Sequence, residues 1–327
     1  VSGVKAIRYY RYGSPDVLRL EDVAPPAVGE HDVLIKVLAA SVNPLDWHFM
    51  RGLPYLLRPQ AGLRRPKDPG LGADLAGRVE AVGAQVTRFA IGDEVFGTAG
   101  GGTLAEYAVV PQDRTLALKP ANLTFEQAAA VPVAGVTALQ ALRDEGHLQA
   151  GQRVLVNGAA GGVGTFTVQL AVAMGAEVTG VCGPAHTGLV TSLGASEVID
   201  YTRDDFTQAE GHYDLVIDIA GSRPLQATRQ VLTPKGILVG IGGPNKGRVL
   251  GPMTRALAAP VISARASQTL TFFMSDTKAA DLAALRDYLA DGTVTPVIDR
   301  TYPLADAAAA VRYLEEGHAG GKVVVTM

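Results

Sequence analysis

Cysteine is almost missing from this chain: Cys182 is the only one in 327 residues. That excludes an internal disulfide and any zinc site built from several cysteines. An excess of charge is missing too. With 29 basic and 32 acidic side chains the net charge is -3, so no strong field favours nucleic acid or an anionic membrane surface as a partner. No apolar run reaches the length of a membrane span, and Val1-Ser2-Gly3-Val4-Lys5 carries no signal-peptide core. A cytoplasmic protein is expected. There is no short repeat and no low-complexity tract. What is plentiful is apolar residues, at 47%, and glycine, with 38 copies. That is enough for a sizeable core in one large domain or two smaller ones.

The most informative stretch is RVLVNGAAGGVGTFTV at 153–168. Val154-Leu155-Val156 reads as a strand buried on both faces. Gly158, Gly161, Gly162 and Gly164 follow, and 165–174 has helical apolar spacing. A strand, a tight glycine turn and a helix can hold a dinucleotide pyrophosphate: backbone N–H groups approach the phosphates and the helix dipole faces their charge. The spacing is G-x-x-G-x-x-G, not G-x-G-x-x-G. Taken alone it also fits a turn that merely packs helix on strand.

The two sides of this stretch differ. Before it, short alternating strands at 4–10, 33–40, 77–82 and 104–110 are separated by Gly and Pro, which predicts a compact β barrel over about the first 120 residues. Residues 51–69, with many Pro and Arg, read as an exposed loop. Thr124 and Gln127 form a possible capping box, followed by an Ala-rich helix. From 153 onward strands and helices alternate, at 177–181, 188–193, 197–200, 214–219, 224–232 and 236–241. This predicts a doubly wound parallel sheet with Thr269–Phe273 as a possible last strand. Helices at 279–289 and 305–315 and a strand at 323–325 close the chain.

In family order, the segments YGSPDVL (12–18), ASVNPLD (40–46), GDEVFG (92–97), VPVAGVTA (131–138), the glycine turn, LGA (193–195), VIDY (198–201) and GKVV (321–324) resemble the zinc-free branch of the medium-chain dehydrogenase/reductase superfamily, its quinone oxidoreductase and enone reductase group. The resemblance runs nearly end to end. It implies an α/β protein with a GroES-like β barrel catalytic domain (1–122), a Rossmann dinucleotide-binding domain (123–268), and a last Rossmann strand with return to the barrel (269–327). It places the active site in the cleft between domains. It further implies a homodimer formed through the last Rossmann strand.

The activity implied is NADPH-dependent, zinc-independent reduction of quinones or α,β-unsaturated carbonyls, small electrophiles, by hydride transfer. The region that supplies zinc ligands in metal-using relatives reads Ser41 to Asp46 here, without cysteine, and Gly72-Ala73-Asp74 stands for their Gly-His-Glu. Asp46, His48 and Asp74 are left as either a hard-metal set or, as the favoured reading, a helix cap and a hydrogen-bonded carboxylate. For the cofactor, the resemblance puts Gly161, Gly162 and Val163 at the pyrophosphate, and Asn43 and Thr137 near the nicotinamide. It puts Ala220 and Gly221 beside the adenosine ribose, Gly242 and Gly243 at a strand end, and Phe272 and Phe273 flanking the nicotinamide or simply in the strand. Lys322 either reaches the cleft or is a solvated lysine. No carboxylate follows the second strand, which reads Val181-Cys182-Gly183-Pro184. That favours NADPH, with Tyr201 on the 2′-phosphate and His186 or Arg203 as cationic partners, and leaves NADH possible.

Charge developing on the substrate oxygen needs hydrogen-bond donors. By alignment on Asn43-Pro44, His48 takes the place of a family tyrosine and is a candidate donor. The alternative is a solvent-facing or capped histidine. Tyr55 is a second candidate, and water is a third source of the proton. Asn43 would position cofactor ribose or substrate. Two rival readings remain. One is alcohol–carbonyl dehydrogenase activity. The other is a non-catalytic NADPH-binding sensor or structural protein.

Overall fold

The computed structural model describes residues 3–208, 212–242, 253–263 and 266–327. In chain order its first elements are β1 (Val4–Arg8), β2 (Arg19–Val23), β3 (Asp32–Val42), α1 (Pro44–Arg51), α2 (Arg58–Ala61), β4 (Asp74–Val82), β5 (Glu94–Thr98), β6 (Tyr107–Pro111), β7 (Leu116–Leu118), α3 (Phe125–Ala129) and α4 (Pro132–Gln140). Then come β8 (Arg153–Asn157), α5 (Gly162–Ala173), β9 (Glu177–Cys182), α6 (Thr187–Ser192), β10 (Glu197–Asp200), β11 (Tyr213–Asp218), α7 (Leu225–Gln230), β12 (Leu232–Gly240), α8 (Met253–Ser263) and β13 (Thr269–Phe272). The chain finishes with α9 (Ala279–Ala290), β14 (Ile298–Pro303), α10 (Ala307–Glu315) and β15 (Lys322–Thr326). Among the described residues no helix is long and apolar enough to cross a membrane.

Two compact units result: Val1–Val136 with Thr277–Met327, and Thr137–Asp276. The first holds a seven-stranded sheet ordered β14-β15-β3-β4-β5-β7, with β6 on β3, beside a β1–β2 hairpin. Its centre is β3. Alternation puts Val33, Ile35 and Val37 on the inner face, at 1% exposure or less, as a half-buried strand requires. They meet Leu75, Val95, Leu116 and Val325 in one core. β14 and β15 run parallel and are joined through α10, the kind of crossover parallel strands need.

The second unit is a six-stranded sheet ordered β10-β9-β8-β11-β12-β13, every neighbour parallel. Counted within the unit this is 3-2-1-4-5-6, the order of a dinucleotide-binding doubly wound sheet. Val154, Leu155 and Val156 are fully buried, as the continuous apolar run predicts. The strand at 269 does belong to this sheet.

The structure differs from the sequence expectation in two places. The sequence places the first domain at 1–122, because strands give way to helices there. Yet α3 packs on β3 and β4, and the division between units falls inside α4, after Val136. Within 269–327, β13 closes the second unit and the return segment starts at Thr277. Residues 51–69 are also more regular than a bare loop. A 3-10 turn at Tyr55–Leu57 leads into α2, and the Arg58 guanidinium lies between the rings of Tyr12 and Tyr55, 4.7 and 4.6 Å from their centroids.

Candidate active site

The glycine turn joins β8 to α5. The N–H groups of Gly158 and Ala159 both donate to the Val181 carbonyl, at 3.1 and 3.0 Å, which ties the turn to β9. Gly158 has φ +95°, and a Cβ on Gly164 would lie 2.1 Å from the Gly158 carbonyl oxygen. These two glycines are therefore required, one by backbone conformation and one by close approach. Gly161 is the N-cap, and α5 begins at Gly162. The amides of Gly162, Val163 and Gly164 have no acceptor inside the helix, because they form its first turn. That is the arrangement expected of a pyrophosphate cradle.

The carboxyl ends of the other strands surround this turn. At the end of β11, Asp218 is 1% exposed. Its Oδ1 accepts from Asn157 Nδ2 at 2.7 Å and from the Gly221 amide at 3.0 Å. Its Oδ2 accepts from Arg255 at 2.5 Å. Asn157 immediately precedes Gly158, so one carboxylate fixes the start of the glycine turn and the turn after β11. None of Asn157, Asp218 and Arg255 was singled out in the sequence, because their meeting depends on the β8–β11 register, which pairs Asp218 with Asn157.

Gly242 follows β12; a Cβ there would meet the Ile219 carbonyl oxygen at 2.3 Å. Gly243 lies outside the described residues. Phe272 ends β13 with its ring over Gly240, where a Cβ would come within 2.2 Å. The Phe273 amide donates to the Gly240 carbonyl at 3.3 Å. Thr137 is buried in α4, with its hydroxyl 2.7 Å from Ser275 Oγ. The nicotinamide dinucleotide implied by this sheet fits these residues: they supply free amides and strand ends stripped of side chains.

Cys182 is buried at the end of β9. Burial, and then the charge of Asp200, push its thiol above the usual range. The half-exposed Tyr201 follows β10, and its hydroxyl lies 3.2 Å from where a Gly183 Cβ would stand, so the two positions meet. A feature the sequence reading did not weigh is Asp200, which pairs with Cys182 across the strands. A carboxylate thus ends the neighbouring strand. It accepts from the Thr202 amide and hydroxyl at 2.9 and 2.8 Å.

In the first unit, Asn43 and Lys322 come together. The Lys322 ammonium, 3% exposed, donates to Asn43 Oδ1 at 2.6 Å and lies 3.3 Å from Asp74 Oδ2 and 3.4 Å from the Val42 carbonyl. Asp74 is fully buried. It also accepts from Ser41 Oγ at 2.7 Å, from Asn43 Nδ2 at 2.9 Å and from the Val133 amide at 2.9 Å. The amide of Asn43 is held at both ends, its oxygen by a cation and its nitrogen by an anion, so it has a single orientation. Lys322 is an inward-facing ion-pair partner, not a solvated lysine.

Asp46 Oδ2 accepts from the Asn43 amide at 2.6 Å at the start of α1, in keeping with a helix cap. Burial, then the charge of Asp74, raise its pKa to about 7, while the Asn43 and Gly72 amides and Lys322 oppose the rise. His48 stacks on Trp47 at 3.7 Å, and its Nδ1 is 2.8 Å from the Leu53 carbonyl. Only a protonated Nδ1 makes that bond. Burial lowers the His48 pKa, so the neutral ring leaves Nε2 as an acceptor. Tyr55 is 40% exposed under Arg58.

A family model described as an alcohol dehydrogenase GroES-like domain matches residues 29–121. Another, described as zinc-binding dehydrogenase, matches residues 193–325. The chain is 37% identical to 2-methylene-furan-3-one reductase of Solanum lycopersicum over 99% of its length and 79% of that protein's. It is 35% identical to the NADPH-dependent alkenal/one oxidoreductase, chloroplastic, of Arabidopsis thaliana, over 98% of this chain and 79% of that protein. Among solved structures, a quinone oxidoreductase from Coxiella burnetii superposes with a TM-score of 0.87 at 30% identity, covering 99% of each chain.

Proposed function

Because the chain belongs to the quinone oxidoreductase and enone reductase group of the medium-chain dehydrogenase/reductase superfamily, and is thus an NAD(P)H-dependent oxidoreductase, we propose that it reduces quinones or α,β-unsaturated carbonyls with NADPH and without a metal ion. The observation that carries this reading is the glycine turn of Gly158 and Gly164, set in a 3-2-1-4-5-6 sheet. The bound nicotinamide would supply the hydride. The α5 amides of Gly162 to Gly164 would hold its phosphates. Asn43, with its amide orientation fixed, would present its remaining N–H to ribose or to the substrate oxygen on which charge develops. The proton would come from solvent, because neutral His48 spends its N–H on Leu53.

Metal-free chemistry is supported by the donor set. The Lys322 ammonium already sits between Asn43 Oδ1 and Asp74 Oδ2, and Asp74 is further engaged by N–H and O–H donors. A zinc ion would have to displace a buried cation and compete with those donors, a poor fit to the ligands zinc takes. NADPH is supported by Tyr201 over Gly183 and by the absence of a carboxylate at the carboxyl end of β9, which closes on Val181-Cys182. Asp200, ending β10, favours NADH as the second reading. A homodimer in the cytoplasm completes the proposal.

The test is oxidation of NADPH and NADH by the metal-analysed protein with a quinone, an enone and a ketone. Turnover of NADPH with the quinone or enone at sub-stoichiometric metal supports the reading. A preference for NADH assigns Asp200 to the ribose. Activity lost to a chelator supports alcohol–carbonyl chemistry. Tight NADPH binding without turnover on any acceptor leaves the sensor or structural role.

A further inference from the structure

Among the described residues of the second unit, two arginine side chains keep buried N–H groups unbonded: Arg229 at Nε alone, and Arg255 at two nitrogens. The Arg255 side chain, on α8, is 11% exposed. Its Nη2 donates to Asp218 at 2.5 Å. Its Nε and Nη1 are buried and have no hydrogen-bond partner among the described residues. A guanidinium cannot shed its proton to escape this cost. Leaving a buried donor unsatisfied is costly, and more so when it is charged. Such groups call for an acceptor.

The position says which acceptor. Asp218 ends β11 and, through Asn157, reaches the residue before Gly158. The guanidinium carbon is 5.8 Å from the centroid of Phe272, whose ring covers Gly240 at the end of β12. Arg255 therefore lies over the carboxyl ends of β11, β12 and β13, two hydrogen bonds from the start of the glycine turn. The crevice at the carboxyl ends of a parallel sheet is where such folds bind ligands. Asp218 accepts from Asn157, Gly221 and Arg255, and it anchors the guanidinium through Nη2 alone, without using its remaining donors.

We propose that Arg255 is a cofactor-binding residue whose Nε–H and Nη1–H groups donate to the pyrophosphate of the nicotinamide dinucleotide, with Asp218 as the positioning residue that holds it. The proposal rests on the nicotinamide reading above. It adds a charged contact from α8 to a cradle otherwise made of neutral backbone amides. Anionic acceptors make the stronger hydrogen bonds to a guanidinium.

The test is calorimetric binding of NADPH, ADP-ribose and ADP-ribose 2′-phosphate to the wild type, Arg255→Lys and Arg255→Gln. Arg255→Lys keeps the charge and the Asp218 pair but removes the two unbonded donors, so it answers the question even where Arg255→Gln does not fold. Both variants are expected to weaken all three ligands by about 10–100-fold, the equivalent of a lost charge-assisted hydrogen bond. Affinities unchanged in Arg255→Lys overturn the proposal. So does weakening confined to NADPH, which would put the contact at the nicotinamide end. A wild type that binds none of the three overturns the nicotinamide reading itself.

Discussion

Replacing Lys322 by methionine should strip the Asp74 carboxylate of its only counter-ion among the described residues. The pair is buried on both sides, with side-chain exposures of 4% and 0%. Breaking a buried pair by removing one partner costs roughly 3–5 kcal/mol, because the remaining charge stays out of water. Here Asp74 keeps three neutral donors, Ser41, Asn43 and Val133, which moves the expected loss to the lower end, about 3 kcal/mol. Lys322→Met/Asp74→Asn removes both charges and should recover most of it, giving a coupling energy of at least about 2 kcal/mol in a double-mutant cycle. The assay is urea unfolding followed by tryptophan fluorescence. The chain has one tryptophan, Trp47, which is 7% exposed in the first unit's core, so the signal reads that unit alone. A midpoint shift at constant slope reports stability. Loss below about 1 kcal/mol in Lys322→Met, or simple additivity in the double variant, would refute the reasoning.

Gly164→Ala should weaken NADPH by at least about 10-fold, since its Cβ would sit 2.1 Å from the Gly158 carbonyl and overpacking of this kind costs roughly 1–3 kcal/mol; unchanged calorimetric affinity would contradict it. Burial raises the Asp46 pKa from 3.8 to about 7, so the folded chain holds a proton there that the unfolded chain releases. Its stabilising contribution is full below about pH 4 and is lost as pH rises through about 7. Asp46→Asn should flatten the fall in the urea midpoint across that window. His48→Gln should keep kcat within about 3-fold at neutral pH, against the roughly 10²–10⁴-fold loss expected of a general acid; a loss in that range would return the proton-donor role to His48.

The legible parts of this protein were those written locally. Gly158 and Gly164 announce themselves because the turn itself demands them, one by its positive φ and one by the carbonyl six residues before it, and Val154 to Val156 reads as a strand buried on both faces. The family segments then implied a GroES-like β barrel and a Rossmann sheet. What stayed hidden was contact between residues far apart in the chain. Lys322 could be placed near the last strand, but not against Asn43, because that depends on β15 pairing with β3. Arg255 belongs to no motif, and it reaches Asp218, 37 positions away, only through the packing of its helix. Residues 51–69 read as irregular because proline and arginine usually mark loops. Their order comes from Tyr12, which holds Arg58 from outside the segment. The boundary between units is not written locally, because the switch from strands to helices precedes the switch of unit, which happens within one continuous helix.

The split composition of the first unit has a consequence for how the chain is made. Residues 137–276 are continuous, so the parallel sheet has all its strands as soon as that stretch leaves the ribosome. The barrel-like sheet begins earlier and finishes later, since β14 and β15 close its edge beyond β3. Until β15 emerges, β3 offers an open edge along Ala39 to Val42, and Asp74 waits without its ammonium. The nucleotide-binding half can thus mature while the other is still incomplete, and Lys322 acts as a late-arriving latch whose entry both covers the edge and neutralises the charge beneath it.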